Sequence, residues 1–90
     1  MYAKETIIIN KTGLHARPAS EFTKQATGFQ SDITIVNLDS GKEGNAKSII
    51  AVMAMALSKD TKIQIRAEGE DEEAAVEALI TLIDGGFGEV

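Results

Sequence analysis

The segment Gly13-Leu14-His15-Ala16-Arg17-Pro18-Ala19 gathers the residues of this chain best suited to group transfer. His15 is the only histidine in 90 residues. Its imidazole offers a ring nitrogen that is nucleophilic near neutral pH and able to carry a transferred group covalently. Arg17 supplies a planar guanidinium whose donors match the oxygens of a phosphate. The residues that follow read as the first turn of a helix. There the leading N–H groups lack intrahelical acceptors and lie at the positive end of the dipole, so the amides of Ala16 and Arg17 can hold an anionic oxygen. Pro18 contributes no N–H but fits a first helical turn. A lone histidine beside a helix is more often a simple cap, and an arginine there a solvated cation. Nucleophile, cation and free amides within seven residues favour chemistry on an anion.

Other chemistries lack their residues. Catalytic zinc normally takes three protein ligands, and one histidine without any cysteine cannot build the usual spacings, so no metal site is expected. Neither Ser20 nor Ser48 stands in a Gly-x-Ser-x-Gly elbow, which removes a serine hydrolase. Nothing indicates an organic cofactor. The formal net charge is −5, with a single tyrosine and no tryptophan, a poor basis for nonspecific nucleic-acid binding. The charge is unevenly spread. Residues 68–90 hold eight acids and no Lys or Arg, whereas residues 1–67 set nine basic residues against six acids, a net +3, and function is sought there.

Positioning these groups requires a fold. Ninety residues, 43% of them apolar, suit one domain over 1–90 with a single core. Lys4 to Ile9 reads as a strand with Ile7 and Ile9 on one face and Thr6 and Ile8 on the other, followed by a turn at Asn10 to Gly13. From Arg17 to Ala26, the apolar positions Ala19, Phe22 and Ala26 recur with helical spacing, and Gly28 follows the end. Ser31 to Leu38 alternates as a second strand, breaks at Asp39-Ser40-Gly41, and Glu43 to Ala46 can return as a third. Ser48 can cap a second helix with the stripe Ile49, Val52, Met53, Ala56 and Leu57, ending near Ser58-Lys59-Asp60. Lys62 to Glu68 is a fourth strand with Ile63, Ile65 and Ala67 inward. The acidic run Glu70 to Glu73 then opens a third helix, whose stripe Ala75, Val76, Leu79, Ile80, Leu82 and Ile83 stops at Gly85-Gly86. The order βαββαβα predicts an α+β open-faced sandwich: a four-stranded antiparallel sheet covered on one face by three helices. A ferredoxin-like arrangement has the same element string, and periodicity alone does not order the strands. The longest apolar stretch, Ile49 to Leu57, is too short to cross a bilayer, and no signal-like apolar region follows Met1, so a cytoplasmic protein without membrane insertion is expected.

The segment from Gly13 to Ala19 is similar to the active-site signature of the HPr family, the histidine phosphocarriers of the bacterial sugar phosphotransferase system. Asn45-Ala46-Lys47-Ser48-Ile49-Ile50-Ala51-Val52-Met53 resembles the segment around the regulatory serine of its Gram-positive-type members. The likeness spans nearly the whole chain in length and element order, with a slightly longer connection over residues 39–44. It implies that Enzyme I passes a phosphoryl group from phosphoenolpyruvate to His15, at Nδ1, and that His15 relays it to IIA components of sugar permeases. It implies further that Arg17 partners the phosphate, and that Ser48 is the site of an HPr kinase/phosphorylase and a switch toward a catabolite-control repressor. The family's regulatory paralogue lacks the active histidine, so the presence of His15 argues for the carrier itself, a stoichiometric intermediate rather than an enzyme; a nitrogen-branch carrier would retain His15 as well, and it is the Lys47-Ser48-Ile49 setting that favours the sugar branch. Ser20, Lys24, Lys47, Ile49, Ile50 and Met53 are the expected partner surface, with Ile50 off the centre of its helix stripe and free for docking. A monomer is expected. A receptor that binds an anion without covalent chemistry and a pure adaptor are the alternatives; the receptor would gain no acid-labile phosphate, and the adaptor would keep its function in His15→Ala.

Overall fold

The computed structural model describes residues 1–89. Its elements are β1 (Tyr2–Ile7), α1 (Ala16–Thr27), β2 (Asp32–Asn37), β3 (Glu43–Asn45), α2 (Ile49–Ala54), β4 (Lys62–Glu68) and α3 (Glu72–Asp84), then a 3₁₀ turn over Gly86–Gly88. The strands form one antiparallel sheet in the order β1-β4-β2-β3. β4 pairs on both sides, with Tyr2↔Ala67 to Ile7↔Lys62 toward β1 and Asp32↔Glu68 to Asn37↔Ile63 toward β2. β1 and β2 therefore run parallel with β4 between them, a split βαβ unit closed by α1. A ferredoxin-like sheet would hold β1 in its interior; here β1 is an edge, and the open-faced sandwich is the arrangement formed.

The alternation in β4 places Ile63, Ile65 and Ala67 under the helices, and Ile33 and Ile35 of β2 share that face. Phe22 and Ala26 of α1, Val52 of α2 and Val76, Leu79 and Ile83 of α3 close on them from above. Each fully buried aliphatic or aromatic side chain contributes about 1.5–3 kcal/mol through its removal from water. The opposite face of the sheet, with Glu5, Lys62, Gln64 and Arg66, carries no helix.

Two of the shifts from the boundaries read in the sequence have a clear local reason. β1 ends at Ile7 rather than Ile9, because the Ile8 N–H donates to the Thr61 carbonyl and the Ile8 carbonyl accepts from Asp60 N–H, outside the ladder. Ile8 is fully buried while Ile7 and Ile9 are exposed, as a period of two requires once Ile8 faces the core. The second helix is only six residues long, since Met55 is its C-cap and Ala56 has φ +52°. Its inward residues are Val52 and Met55, with Leu57 buried beyond its end. Ile49 and Met53, expected on the buried stripe, join Ile50 on the exposed side: too few turns exist for the longer periodicity to hold.

Between β2 and β3, Asn37 Oδ1 accepts from the amides of Asp39 and Ser40, and Gly41, at φ +80°, donates its N–H to the Asn37 carbonyl. The longer connection thus closes as an ordered turn. Among the described residues, no helix is long and apolar enough to cross a membrane.

Candidate functional site

The loop into His15 is built by glycine and core packing. Gly13 has φ +67°, and a Cβ there would lie 2.2 Å from the Leu57 carbonyl oxygen, so no other residue fits without moving the backbone. Leu14 is fully buried and its N–H donates to that same carbonyl at 2.8 Å. Asn10, also fully buried, donates from Nδ2 to the Gly13 carbonyl at 2.9 Å, and Gly13 N–H returns a bond to the Asn10 carbonyl at 3.2 Å. Asn10 Oδ1 is buried with no hydrogen-bond partner among the described residues, a costly arrangement in an ordinary turn.

With Leu14 anchored, the next side chain emerges. His15 is the N-cap of α1 with extended backbone, φ −124° and ψ 156°, and its exposed imidazole makes no capping bond. The ring is thereby not engaged in capping the helix. Ala16 enters the helix at φ +48°, a left-handed conformation that costs a non-glycine residue roughly 1–3 kcal/mol. Arg17 is exposed, its Nη1 3.8 Å from Glu21 Oε1 one turn later, a long, solvated pair of little energetic weight. Pro18 is buried in the first turn, so the amides of Ala16 and Arg17 are the donors at this end of the dipole. The His15 imidazole, the Arg17 guanidinium and the amides of Ala16 and Arg17 thus all belong to the N-terminal end of α1.

Ser48 is the N-cap of α2, and its Oγ accepts from Ala51 N–H at 3.2 Å. Beyond it, Ile49, Ile50 and Met53 are exposed, Ile50 by 80%, which leaves an apolar patch on a polar surface. α1 and α2 pack against each other, and the segment after α2 supplies the Leu57 carbonyl that holds Leu14. Patch and histidine therefore belong to adjoining elements. Ser20 and Lys24 are exposed on α1. Lys47 is drawn in: its Nζ donates to the Phe29 carbonyl at 2.8 Å, tying the start of α2 to the end of α1 instead of standing on the rim as a free cation.

A carboxylate that sequence reasoning passed over also reaches this loop. Glu89 Oε1 accepts from Asn10 Nδ2 at 3.1 Å and from Thr12 Oγ1 at 2.8 Å, with Thr12 N–H at 3.4 Å. The bonds to Asn10 and then to Thr12, with the Arg17 charge adding to them, hold its carboxyl below the usual carboxylate range. The acidic charge of residues 68–90 directs attention away from it, and its only sequence signal is an isolated acid after Gly86-Phe87-Gly88. Among the described residues, no cluster of three or more His, Cys, Asp or Glu is arranged to hold a metal ion.

Residues 2–84 match the family model described as the PTS HPr component phosphorylation site. A phosphocarrier protein HPr of Haemophilus influenzae is 46% identical over 83 residues, covering 92% of this chain and 95% of its own. One from Mycoplasma capricolum is 51% identical over 79 residues, covering 87% and 86%. In structure, an HPr from Thermoanaerobacter tengcongensis superposes with a TM-score of 0.94 at 43% identity, over 100% of this chain and 99% of that one.

Proposed function

This chain belongs to the HPr family of phosphocarriers of the phosphotransferase system, and on that premise we propose that His15 is its phosphoacceptor, charged by phosphorylated Enzyme I and discharged to IIA components of sugar permeases. The observation that carries the reading is an exposed imidazole held at the N-terminus of α1, two residues before an exposed guanidinium, with its own backbone fixed by Leu14 and Gly13. In the transfer, the lone pair of a ring nitrogen, taken as Nδ1, forms a bond to phosphorus. The donor's nitrogen–phosphorus bond breaks and its electron pair remains on the donor nitrogen. Both ends are phosphoimidazoles, so the step is reversible and needs no further reactant. Charge on the phosphoryl oxygens is met by the Ala16 and Arg17 amides and by the Arg17 guanidinium once it leaves Glu21.

Ser48 is the regulatory site in this reading, modified by an HPr kinase/phosphorylase. A phosphate there adds nearly two negative charges at a helix N-terminus that tolerates them, beside the Ile49, Ile50 and Met53 patch used by Enzyme I and IIA proteins. The dianion opposes those partners and suits a catabolite-control repressor with a basic surface. The carrier is a cytoplasmic monomer that acts stoichiometrically, without a cofactor of its own.

The test is incubation with phosphoenolpyruvate and Enzyme I. Wild-type protein gains one acid-labile, base-stable phosphoryl group and His15→Ala gains none; full labelling of His15→Ala overturns the assignment.

A further inference from the structure

The last described residues hold the loop that leads into the histidine. After α3, the chain turns through three successive left-handed residues, Gly86 at φ +67°, Phe87 at +54° and Gly88 at +78°. Phe87 is buried in the core, and Glu89 N–H donates to the Gly86 carbonyl at 2.9 Å. A buried aromatic thus anchors a tight turn whose product is the direction of one side chain. Glu89 Oε1 lies against Asn10 and Thr12, 79 and 77 residues away in sequence. Those residues open the loop that Gly13 and Leu14 close, and His15 follows directly.

We propose that Glu89 is a positioning residue for phosphoryl transfer, its carboxylate pinning Asn10 and Thr12 so that the segment into His15 is ordered before a partner arrives. The proposal rests on His15 as phosphoacceptor. Asn10 Nδ2 divides its donors between the Gly13 carbonyl and Glu89, so loss of the carboxylate releases both Thr12 and one restraint on the side chain that braces Gly13. Glu89 neither touches the reacting nitrogen nor gives up a proton. It acts through the geometry of its neighbours, and preorganised geometry governs the chemical step more than encounter.

The experiment measures phosphoryl transfer from phosphorylated Enzyme I by rapid quench, with amide hydrogen exchange on the same variants. Glu89→Ala should lower kcat roughly tenfold, as a small misplacement of a reacting group does, with KM for the carrier within about twofold. Glu89→Gln keeps an oxygen acceptor at the same reach and should recover kcat to within about threefold of wild type. Thr12→Val should lower kcat less than Glu89→Ala, and the double variant should be no slower than Glu89→Ala alone, because the two changes remove one interaction. Exchange at the Gly13 and Leu14 amides should quicken in Glu89→Ala. A wild-type kcat in Glu89→Ala overturns the inference alone, as do additive effects in the double variant. Failure of the wild-type protein to take up any phosphoryl group overturns the reading of His15 and this inference with it. Should Glu89→Ala not fold, Thr12→Val decides, and a wild-type kcat there overturns the proposal.

Discussion

Arg17 and Gly13 stand two residues either side of His15 and act in opposite ways. Arg17 is exposed, so its loss removes charge and little packing. Arg17→Ala should slow transfer to His15 by about 2–4 kcal/mol of transition-state stabilisation, a factor of roughly thirty to a thousand, with an unchanged thermal midpoint. An unaltered rate by rapid quench would assign Arg17 to plain surface. Gly13 is structural: a methyl group there would meet the Leu57 carbonyl oxygen and strain a left-handed backbone. Gly13→Ala should lower stability by about 1–3 kcal/mol in urea titration and disorder the Leu14 amide at the same time. A fully stable Gly13→Ala protein with a protected Leu14 amide would refute this packing.

At the scale of the element, α2 is a short helix given over largely to its exposed side. Its start depends on Ser48, whose Oγ accepts from Ala51 N–H at the cap. Ser48→Ala should cost about 0.5–2 kcal/mol of stability and transfer phosphate at the normal rate, whereas Ser48→Asp should stay folded and accept phosphate from Enzyme I far more slowly. Wild-type transfer by Ser48→Asp, with no modification of the native protein by purified kinase, leaves capping as the serine's role. Ile50 points to water, so Ile50→Glu should raise KM for Enzyme I without moving the urea midpoint; an unchanged KM would take docking away from this patch. Val52 behaves differently because it is core.

The whole molecule is closed by charged groups that join distant parts of the chain, and these set its pH range. Asp71 accepts from the Ser31 hydroxyl and from the Gln30 and Ser31 amides, which hold its carboxyl below the usual range and tie the start of α3 to β2. Glu72, held down by Gly69 N–H and the N-terminal ammonium, does the same for β1, and Glu89 does so for the loop before His15. Glu77 is lowered by Lys4 and then Tyr2, and in turn raises both of them. The depressed carboxylates bind more protons unfolded than folded. Their contribution is complete above about pH 5 and lost as the pH falls through about 4 and below. The raised Tyr2 and Lys4 contribute fully below about pH 9.5 and progressively less as the pH rises past their ordinary values near 10. Urea midpoints should therefore form a plateau between about pH 5 and 9. Glu77→Gln should flatten the alkaline decline while leaving most of the acid one, since Asp71, Glu72 and Glu89 remain; an unaltered alkaline limb would dismiss the cluster. The effect is small, as these groups are solvated and screened.

Sequence by itself determined the seven-element order, the inward sets of β4 and α3, the helix start at His15 and the cap at Ser48, because each is written in periodicity or residue type within one turn or one strand. The strand order β1-β4-β2-β3, the exposure of Ile49 and Met53, the turning inward of Lys47, and the seating of Leu14 and Gly13 on Leu57 were decided only by tertiary structure. Each joins segments tens of residues apart, or rests on a helix too short for its period to be read. Glu89 is the extreme case: the two residues that its carboxylate bonds, Asn10 and Thr12, lie at the other end of the chain, brought to it by a sheet whose edge is β1 and a helix that ends close to that edge.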